Sequence, residues 1–186
     1  MASNEIHEDL LHDLQKRGHE INSFGIGTNL ITCVKQPALG MVYKLVSING
    51  TPRLKLSEDI DKITLPGLKS VYRIYLTDPQ KPSFDIIALR DEQQPEEGKA
   101  FEVITKGKEK KSFTPVCVEL LNPLAFDGKM LIKPLGVKEG RELIFNQLDN
   151  FDPSVIMKEN AKEYEVHYSV KLYKLVEDLI KSAKSE

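Results

Sequence analysis

The spacing of hydrophobic and polar residues changes several times along the chain, which predicts a mixture of helices and strands. Apolar residues at helical intervals predict a first helix, which begins at the cap residue Asn4, runs to about Arg17 and ends at Gly18. A short apolar strand at Ile21–Phe24 follows and leads directly into Gly25. A helix followed by a strand and a glycine turn is one step of an alternating α/β fold.

After this step the hydrophobic residues recur at a shorter interval, the alternation that is typical of strands. Residues 41–48 alternate before Asn49-Gly50, and the chain returns at 53–56, which predicts a hairpin closed by a type I′ turn. Further strands are expected at Val71–Leu76, Phe84–Leu89, Ala100–Ile104 and Phe113–Leu121. Toward the C-terminus the pattern predicts a helix at Lys138–Leu148, a turn at 152–154, a short strand at 164–168 and a helix at Ser169–Lys181.

Composition is that of an ordinary globular protein. The chain has 186 residues, of which 40% are hydrophobic and 29% are charged, and its formal net charge is −2. This charge gives no argument for a nucleic acid or an anionic membrane as a partner. The basic run Lys106–Lys111 is interpreted as a solvated loop tip rather than a phosphate patch.

The two cysteines indicate a reducing compartment. Cys33 and Cys117 form no CxxC motif and no framework of spaced pairs, which argues against structural zinc, and Cys33 is interpreted as a packing residue. No apolar run has the roughly 18 residues that a membrane helix needs, and the N-terminus does not resemble a secretory signal. We therefore expect a cytoplasmic protein with no metal site.

The bend Gly25-Ile26-Gly27-Thr28 is the strongest candidate for a binding site. Glycine lets backbone N–H groups approach an anion closely and tolerates positive φ, so the bend is predicted to hold a phosphate and to be too crowded for a bulkier side chain. It lacks the third glycine of a dinucleotide fingerprint and the lysine of a P-loop. A tight turn that binds nothing is the alternative.

The surrounding sequence is more specific than the bend. The stretch GHEINSFGIGTNLITCVKQPALGMVYKLVSINGTPRLKLSED, residues 18–59, resembles the nicotinate phosphoribosyltransferase family. The resemblance is dense from Ser3 to about Asp59, weaker in the middle, and returns in YEVHYSVKLYKL at 164–175. It implies an α/β plus α+β fold, in which a terminal βα step of a type II phosphoribosyltransferase barrel precedes a β-rich C-terminal region with closing helices. Residues 1–40 would be the barrel end with its phosphate-binding loop, and residues 41–186 the C-terminal region.

The same resemblance implies a reaction. Members transfer a phosphoribosyl group from 5-phosphoribosyl 1-diphosphate to nicotinate, which gives nicotinate mononucleotide for NAD biosynthesis, with ATP hydrolysis and Mg²⁺. Gly25, Ile26, Gly27 and Thr28 would hold the 5′-phosphate, and Ser3 and Asn4 would face the ribose. Glu5 stands where we expect Asp in many members, so ribose contact from that position is in question. A role for Asn4 as the helix N-cap is an equally good interpretation.

The family's phosphorylatable histidine, its nicotinate-binding groups and its metal-handling acids belong to segments that precede this chain. None of His7, His12, His19 or His167 matches that histidine's motif. His7 and His12 are interpreted as surface residues and His19 as a turn residue. We therefore expect no catalytic residue, no bound ATP or Mg²⁺ and no turnover in the isolated chain. The partners implied are the remaining part of the enzyme or a full-length subunit, within a homodimer.

Two other functions stay open at this point. The chain could be a truncated, non-catalytic subunit that binds a sugar phosphate or regulates a full-length partner. It could also be a β-rich interaction domain in which the glycine bend binds nothing.

Overall fold

The computed structural model describes residues 1–32, 34–35, 37–38, 43–56, 63–121, 125–126, 128–157 and 160–184. The chain divides into two units, Met1–Tyr43 and Lys44–Glu186. Cys33 and the residues 41–42 of the expected hairpin lie outside the described residues.

The first unit is a short β-α-β-α segment. Its elements are β1 (Ala2–Ser3), α1 (Glu8–Arg17), β2 (Phe24–Gly25) and α2 (Thr28–Ile31). Strands β1 and β2 are parallel, with Ala2 opposite Phe24 and Ser3 opposite Gly25. A helix that connects two parallel strands is the arrangement that the helix-strand-glycine order predicted.

Helix α1 begins later than expected. The prediction that Asn4 caps this helix is wrong, because Asn4 has φ 88° and the N-cap residue is His7, whose Nδ1 accepts from the Leu10 N–H. An imidazole nitrogen here replaces the side-chain oxygen that usually caps a helix. At the other end Gly18 has φ 78°, which confirms the predicted stop. The predicted strand at 21–24 is shorter and later, since only Phe24–Gly25 pairs.

The second unit opens with the predicted hairpin. Its strands are β3 (Ser47–Ile48) and β4 (Thr51–Pro52). Asn49 and Gly50 have φ 49° and 76°, and positive φ at both central positions is what a type I′ turn requires. The return strand is Thr51–Pro52 and not the predicted 53–56, although the Arg53 N–H still donates to the Val46 carbonyl at 2.9 Å.

A six-stranded sheet forms most of this unit. Its strands are β5 (Lys69–Tyr75), β6 (Phe84–Leu89), β7 (Phe101–Ile104), β8 (Lys110–Phe113), β9 (Cys117–Leu121) and β12 (Val166–Ser169). The spatial order is β8-β7-β12-β6-β5-β9, with β12 parallel to β6 and every other neighbouring pair antiparallel. A small separate ladder joins β10 (Ala125–Phe126) to β11 (Lys129–Met130).

The prediction of one strand over 113–121 is wrong. The fully buried Pro115 interrupts it, because proline lacks the N–H that a ladder needs, and the two pieces β8 and β9 lie on opposite edges of the sheet. The core lies along the middle strands and consists of Tyr72, Ile74, Phe84, Ile86, Ala88 and Val103.

Three helices complete the unit: α3 (Val137–Asn150), α4 (Pro153–Ile156) and α5 (Val170–Lys184). Helix α5 follows β12 directly and packs on β6, β7 and β12, where Leu172 is fully buried. The predicted turn at 152–154 is the start of α4, and Asp152 caps it by accepting from the Ser154 N–H at 2.8 Å. Across the described residues, no helix is both long and apolar enough to cross a bilayer.

Candidate functional site

The site predicted from the glycine bend lies in the first unit, where β2 passes into α2. Gly27 is the N-cap residue of α2, and Thr28 is its first residue. The first N–H groups of a helix have no partner within that helix, so they remain available to a ligand. The carbonyl of Gly27 accepts from the N–H groups of Leu30 and Ile31 at 3.0 and 3.2 Å, which holds the turn closed.

The two glycines of the bend have different surroundings. A Cβ on Gly25 would lie 3.3 Å from Cβ of Ser3, whereas a Cβ on Gly27 would meet nothing within 4 Å. The prediction that the whole bend is too crowded for a side chain is therefore wrong at Gly27, which faces open space. Neither glycine of the bend uses left-handed backbone: Gly27 has φ −108°, and Gly25 is not among the residues with positive φ.

Left-handed backbone occurs instead in the segment that follows β1. Asn4 has φ 88° and Glu5 has φ 48°, two consecutive non-glycine residues in a region that L-amino acids rarely adopt. Ile6 comes next and is buried, with 6% of its surface exposed, which anchors the segment before helix α1 begins. Such backbone is costly and is found preferentially at binding and active sites.

These two segments enclose one cavity of about 710 Å³. Its lining consists of Ser3, Asn4, Glu5, Ile6, His7, Gly25, Gly27, Thr28 and Asn29. The structure thus brings together five of the six residues that were predicted for the site, and they come from two segments about twenty positions apart. Ile26, the sixth, is half-buried and does not line the cavity.

Sequence reasoning missed three side chains of this cavity, Ile6, His7 and Asn29. His7 was assigned to the surface, and it is exposed, but its role as the helix cap places it at the cavity. The available signal was the spacing to Leu10. A cap residue accepts from an N–H two or three positions later, and His7 lies three positions before Leu10. Of the lining side chains, only those of Glu5 and His7 can carry a charge.

The basic run of the second unit does not build a phosphate site. Lys106 and Lys108 lie at the turn between β7 and β8, which agrees with the loop tip that was predicted, but Lys110 and Lys111 belong to β8 itself. Carboxylates accompany these lysines: Lys106 Nζ lies 2.8 Å from Glu163, and Lys110 Nζ lies 2.7 Å from Glu102.

Other candidate groups are structural. Burial is the main cause that raises the pKa of the Cys117 thiol, so this residue is poorly suited to act as a nucleophile. His19 accepts from the Ile21 N–H at 3.1 Å and contacts the Phe24 ring edge-on, which fits the predicted turn residue. Within the described residues, no group of three or more His, Cys, Asp or Glu side chains could hold a metal ion.

Comparison with known proteins identifies the family. The family model described as "Nicotinate phosphoribosyltransferase C-terminal domain" matches residues 68–176. The chain belongs to the nicotinate phosphoribosyltransferase family. The match covers the six-stranded sheet, helices α3 and α4 and the start of α5, and it includes both the middle of the chain, where the resemblance was weaker, and the segment 164–175, where it returned. The predicted membership is confirmed.

The relatives that the chain matches are much longer than the chain. The nicotinate phosphoribosyltransferase of Dictyostelium discoideum is 38% identical over 188 residues, which cover 96% of this chain and 32% of that protein. The Homo sapiens protein of the same name is 38% identical over 181 residues, which cover 96% of this chain and 34% of that protein. The chain therefore spans about a third of the length of the relatives it matches.

A solved structure supports the same assignment. The crystal structure of human nicotinic acid phosphoribosyltransferase aligns with a TM-score of 0.71 and 29% sequence identity, over 96% of this chain and 32% of that one. The mixed α/β fold with a sheet-rich C-terminal domain is thereby confirmed. The homologues' names also place the family in NAD biosynthesis.

Proposed function

We propose that this chain is the C-terminal part of a nicotinate phosphoribosyltransferase. The reaction forms nicotinate mononucleotide and diphosphate from nicotinate and 5-phosphoribosyl 1-diphosphate, with hydrolysis of ATP. In this proposal the first unit is the terminal βα step of a type II barrel, residues 1–40 carry the phosphate-binding loop, and residues 41–186 form the C-terminal region.

The cavity between the two segments is the observation that carries the assignment of a phosphate site. A phosphate there would accept from backbone N–H groups at the start of α2 and from the hydroxyl of Thr28. Hydrogen bonds to a charged acceptor are worth about 1.5–3 kcal/mol each, so a few of them anchor a sugar phosphate without a lysine. Ser3 and Asn4, which line the same cavity from the segment after β1, would contact the ribose hydroxyls.

ATP and Mg²⁺ are assigned to the rest of the enzyme. Mg²⁺ requires octahedral oxygen coordination and is commonly held by one or two carboxylates together with substrate phosphates. The cavity offers a single carboxylate, that of Glu5, which does not form a metal site by itself. We therefore assign to this chain no step of the reaction that depends on a metal ion.

The partner of this chain would be the remaining part of the enzyme or a full-length subunit, in a cytoplasmic homodimer. Support comes from the relatives, of which this chain covers about a third. No histidine here matches the family's phosphorylated one, so the isolated chain would bind a sugar phosphate without turning it over.

Binding of ribose 5-phosphate tests the phosphate site. Thr28→Val removes the hydroxyl at constant shape and should weaken binding about tenfold, whereas Thr28→Ser should bind like wild type. Thr32→Val is the matched control, because the Thr32 hydroxyl, at the C-cap of the same short helix, donates to the Thr28 carbonyl at 2.7 Å. Equal losses for Thr28→Val and Thr32→Val would reject the assignment.

A complementation assay tests the enzymatic role. The chain is mixed with a separately expressed polypeptide that covers the preceding two thirds of a relative, and formation of nicotinate mononucleotide is measured. Recovered activity, lost again in Thr28→Val, supports the proposal. Binding of ribose 5-phosphate without any recovered activity would favour a non-catalytic, sugar-phosphate-binding subunit.

A further inference from the structure

His7 occupies a position in the cavity that its capping bond fixes. Its Nδ1 accepts from the Leu10 N–H at 3.3 Å, so this nitrogen carries no proton while the bond is made. The proton of the neutral ring must then lie on Nε2, which can only donate. The cap therefore sets both the tautomer of His7 and the end of the ring that remains for a ligand.

The backbone before His7 restricts where the ring can point. Asn4 and Glu5 are both left-handed, and the buried Ile6 holds the next residue in place. A side chain that follows such a segment and also caps a helix loses most of its rotational freedom before any ligand arrives. Preorganisation of this kind lowers the entropic cost of binding.

The carboxylates near the cavity oppose an anion, so a phosphate bound there needs hydrogen-bond donors from the lining. Glu5 brings a carboxylate to the lining, and the first turn of α1 adds Glu8 and Asp9 nearby. Asp9 is paired with Lys35, whose Nζ lies 2.6 Å from its Oδ2. A phosphate bound at Thr28 would meet the Glu5 carboxylate. Asn4, His7 and Asn29 are the lining side chains with an N–H donor, and of these the His7 ring has its donor fixed on Nε2 by the capping bond.

We infer that Nε2 of His7 donates a hydrogen bond to an oxygen of the sugar phosphate that the cavity holds. The inference rests on the proposed function and adds a ligand contact to it. His7 would thereby be a specificity-determining residue that favours phosphorylated ribose over free ribose.

The test uses the full chain and ribose 5-phosphate. His7→Asn keeps an N-cap acceptor for α1 but places no donor at the position of Nε2, because the shorter side chain ends its amide N–H group near the position of Cδ2. It should bind ribose 5-phosphate about tenfold more weakly than wild type, with unchanged helix content by circular dichroism. His12→Asn, on the same helix with Nε2 4.0 Å from Glu8, is the matched control and should bind like wild type.

A spectroscopic measurement accompanies the titration. Nitrogen-15 spectra of the imidazoles should show the Nε2–H tautomer for His7, and addition of ribose 5-phosphate should shift the Nε2 resonance of His7 but not that of His12.

The outcomes distinguish this inference from the proposed function. Wild-type affinity in His7→Asn, with weakened binding in Thr28→Val, would overturn the role of His7 and leave the phosphate site standing. Equal losses in His7→Asn and His12→Asn would also overturn it, because the effect would then belong to the helix. Absence of any binding by the wild-type chain would overturn both.

Discussion

Ser3 and Gly25 face each other across the parallel ladder of β1 and β2, and a Cβ on residue 25 would lie 3.3 Å from Cβ of Ser3. Because a Cβ cannot rotate away from its backbone, Gly25→Ala must push the two strands apart. We expect it to destabilise the first unit by about 1 kcal/mol. Gly27→Ala is the matched control, since its Cβ meets nothing within 4 Å.

Urea denaturation measures the free energy of unfolding of both variants. Hydrogen exchange measures the protection of the amides of β2 in each of them. Equal protection of these amides in the Gly25→Ala and Gly27→Ala variants would contradict the crowding at Gly25.

The left-handed backbone of Glu5 gives a second prediction. A non-glycine residue in this region costs about 1–2 kcal/mol, so Glu5→Gly should raise the free energy of unfolding by about 1 kcal/mol. Asn tolerates left-handed backbone, and Asn4→Gly should therefore change stability less. Removal of the Glu5 carboxylate takes a negative charge from the cavity lining, so the more stable Glu5→Gly variant should bind ribose 5-phosphate at least as tightly as wild type. Weaker binding by Glu5→Gly would show that the carboxylate itself contacts the ligand.

The sequence predicted several elements of the fold but not their arrangement. Strands β5, β6 and β7 and helix α5 were predicted within a few residues, because each keeps one hydrophobic period along its length. The order of the sheet was not predicted. Strand β12 lies between β6 and β7, far from both in sequence, and such pairing follows from tertiary packing and not from local pattern.

The candidate site was only partly visible in the sequence. The resemblance to a family identified Ser3 and Asn4 beside the bend, whereas periodicity alone gave no reason to join two segments about twenty residues apart. His7 was missed because histidine is an uncommon cap, and the N-cap was assigned to Asn4, whose side chain is the usual choice.

A third prediction concerns the ion pair of Arg73 and Asp85. Arg73 Nε and Nη2 donate to the two carboxylate oxygens of Asp85 at 3.0 and 3.2 Å, and Tyr164 Oη donates to Oδ1 at 2.9 Å. Burial, followed by the Asp85 charge, raises the pKa of Tyr164, which keeps its hydroxyl protonated as a donor. Asp85→Asn leaves the guanidinium without its counter-charge and should cost about 2–3 kcal/mol, somewhat less than for a fully buried pair.

Tyr164→Phe should cost about 1 kcal/mol, because it removes one hydrogen bond and keeps the ring. Glu163→Gln is the control: Glu163 pairs with Lys106 at 2.8 Å in full contact with solvent, and its loss should leave the denaturation midpoint unchanged. A midpoint shift in Glu163→Gln as large as in Asp85→Asn would contradict the importance of burial.

Exposed apolar side chains on α3 give a fourth prediction. Leu143, Ile144, Phe145 and Leu148 are 40–57% exposed. Apolar surface of this kind promotes association, so the free chain should sediment faster as its concentration rises. Ile144→Gln combined with Leu148→Gln should reduce that association while keeping the helix, and Glu142→Gln should not. Monomeric sedimentation of the wild-type chain at all concentrations would contradict this expectation.

The buried His167 gives the last prediction, the dependence of stability on pH. Its ring is 2% exposed and stacks against Phe113 with centroids 6.0 Å apart. Within the described residues neither ring nitrogen has a hydrogen-bond partner of good geometry, although Nε2 lies 3.1 Å from Glu165 Oε2. Burial lowers the pKa of His167 from its ordinary value of 6.5, an effect that the Glu165 charge opposes and the Lys111 charge reinforces.

A lowered pKa means that the unfolded chain binds a proton at a pH where the folded chain does not. The contribution of His167 to stability is therefore complete above pH 6.5 and decreases as the pH falls from there to the pKa of the folded state. One proton gives a slope of at most about 1.4 kcal/mol per pH unit. Denaturation between pH 7.5 and 5 should show this slope in wild type and in His12→Leu, but a smaller one in His167→Leu. An unchanged slope in His167→Leu would mean that other groups bind the protons.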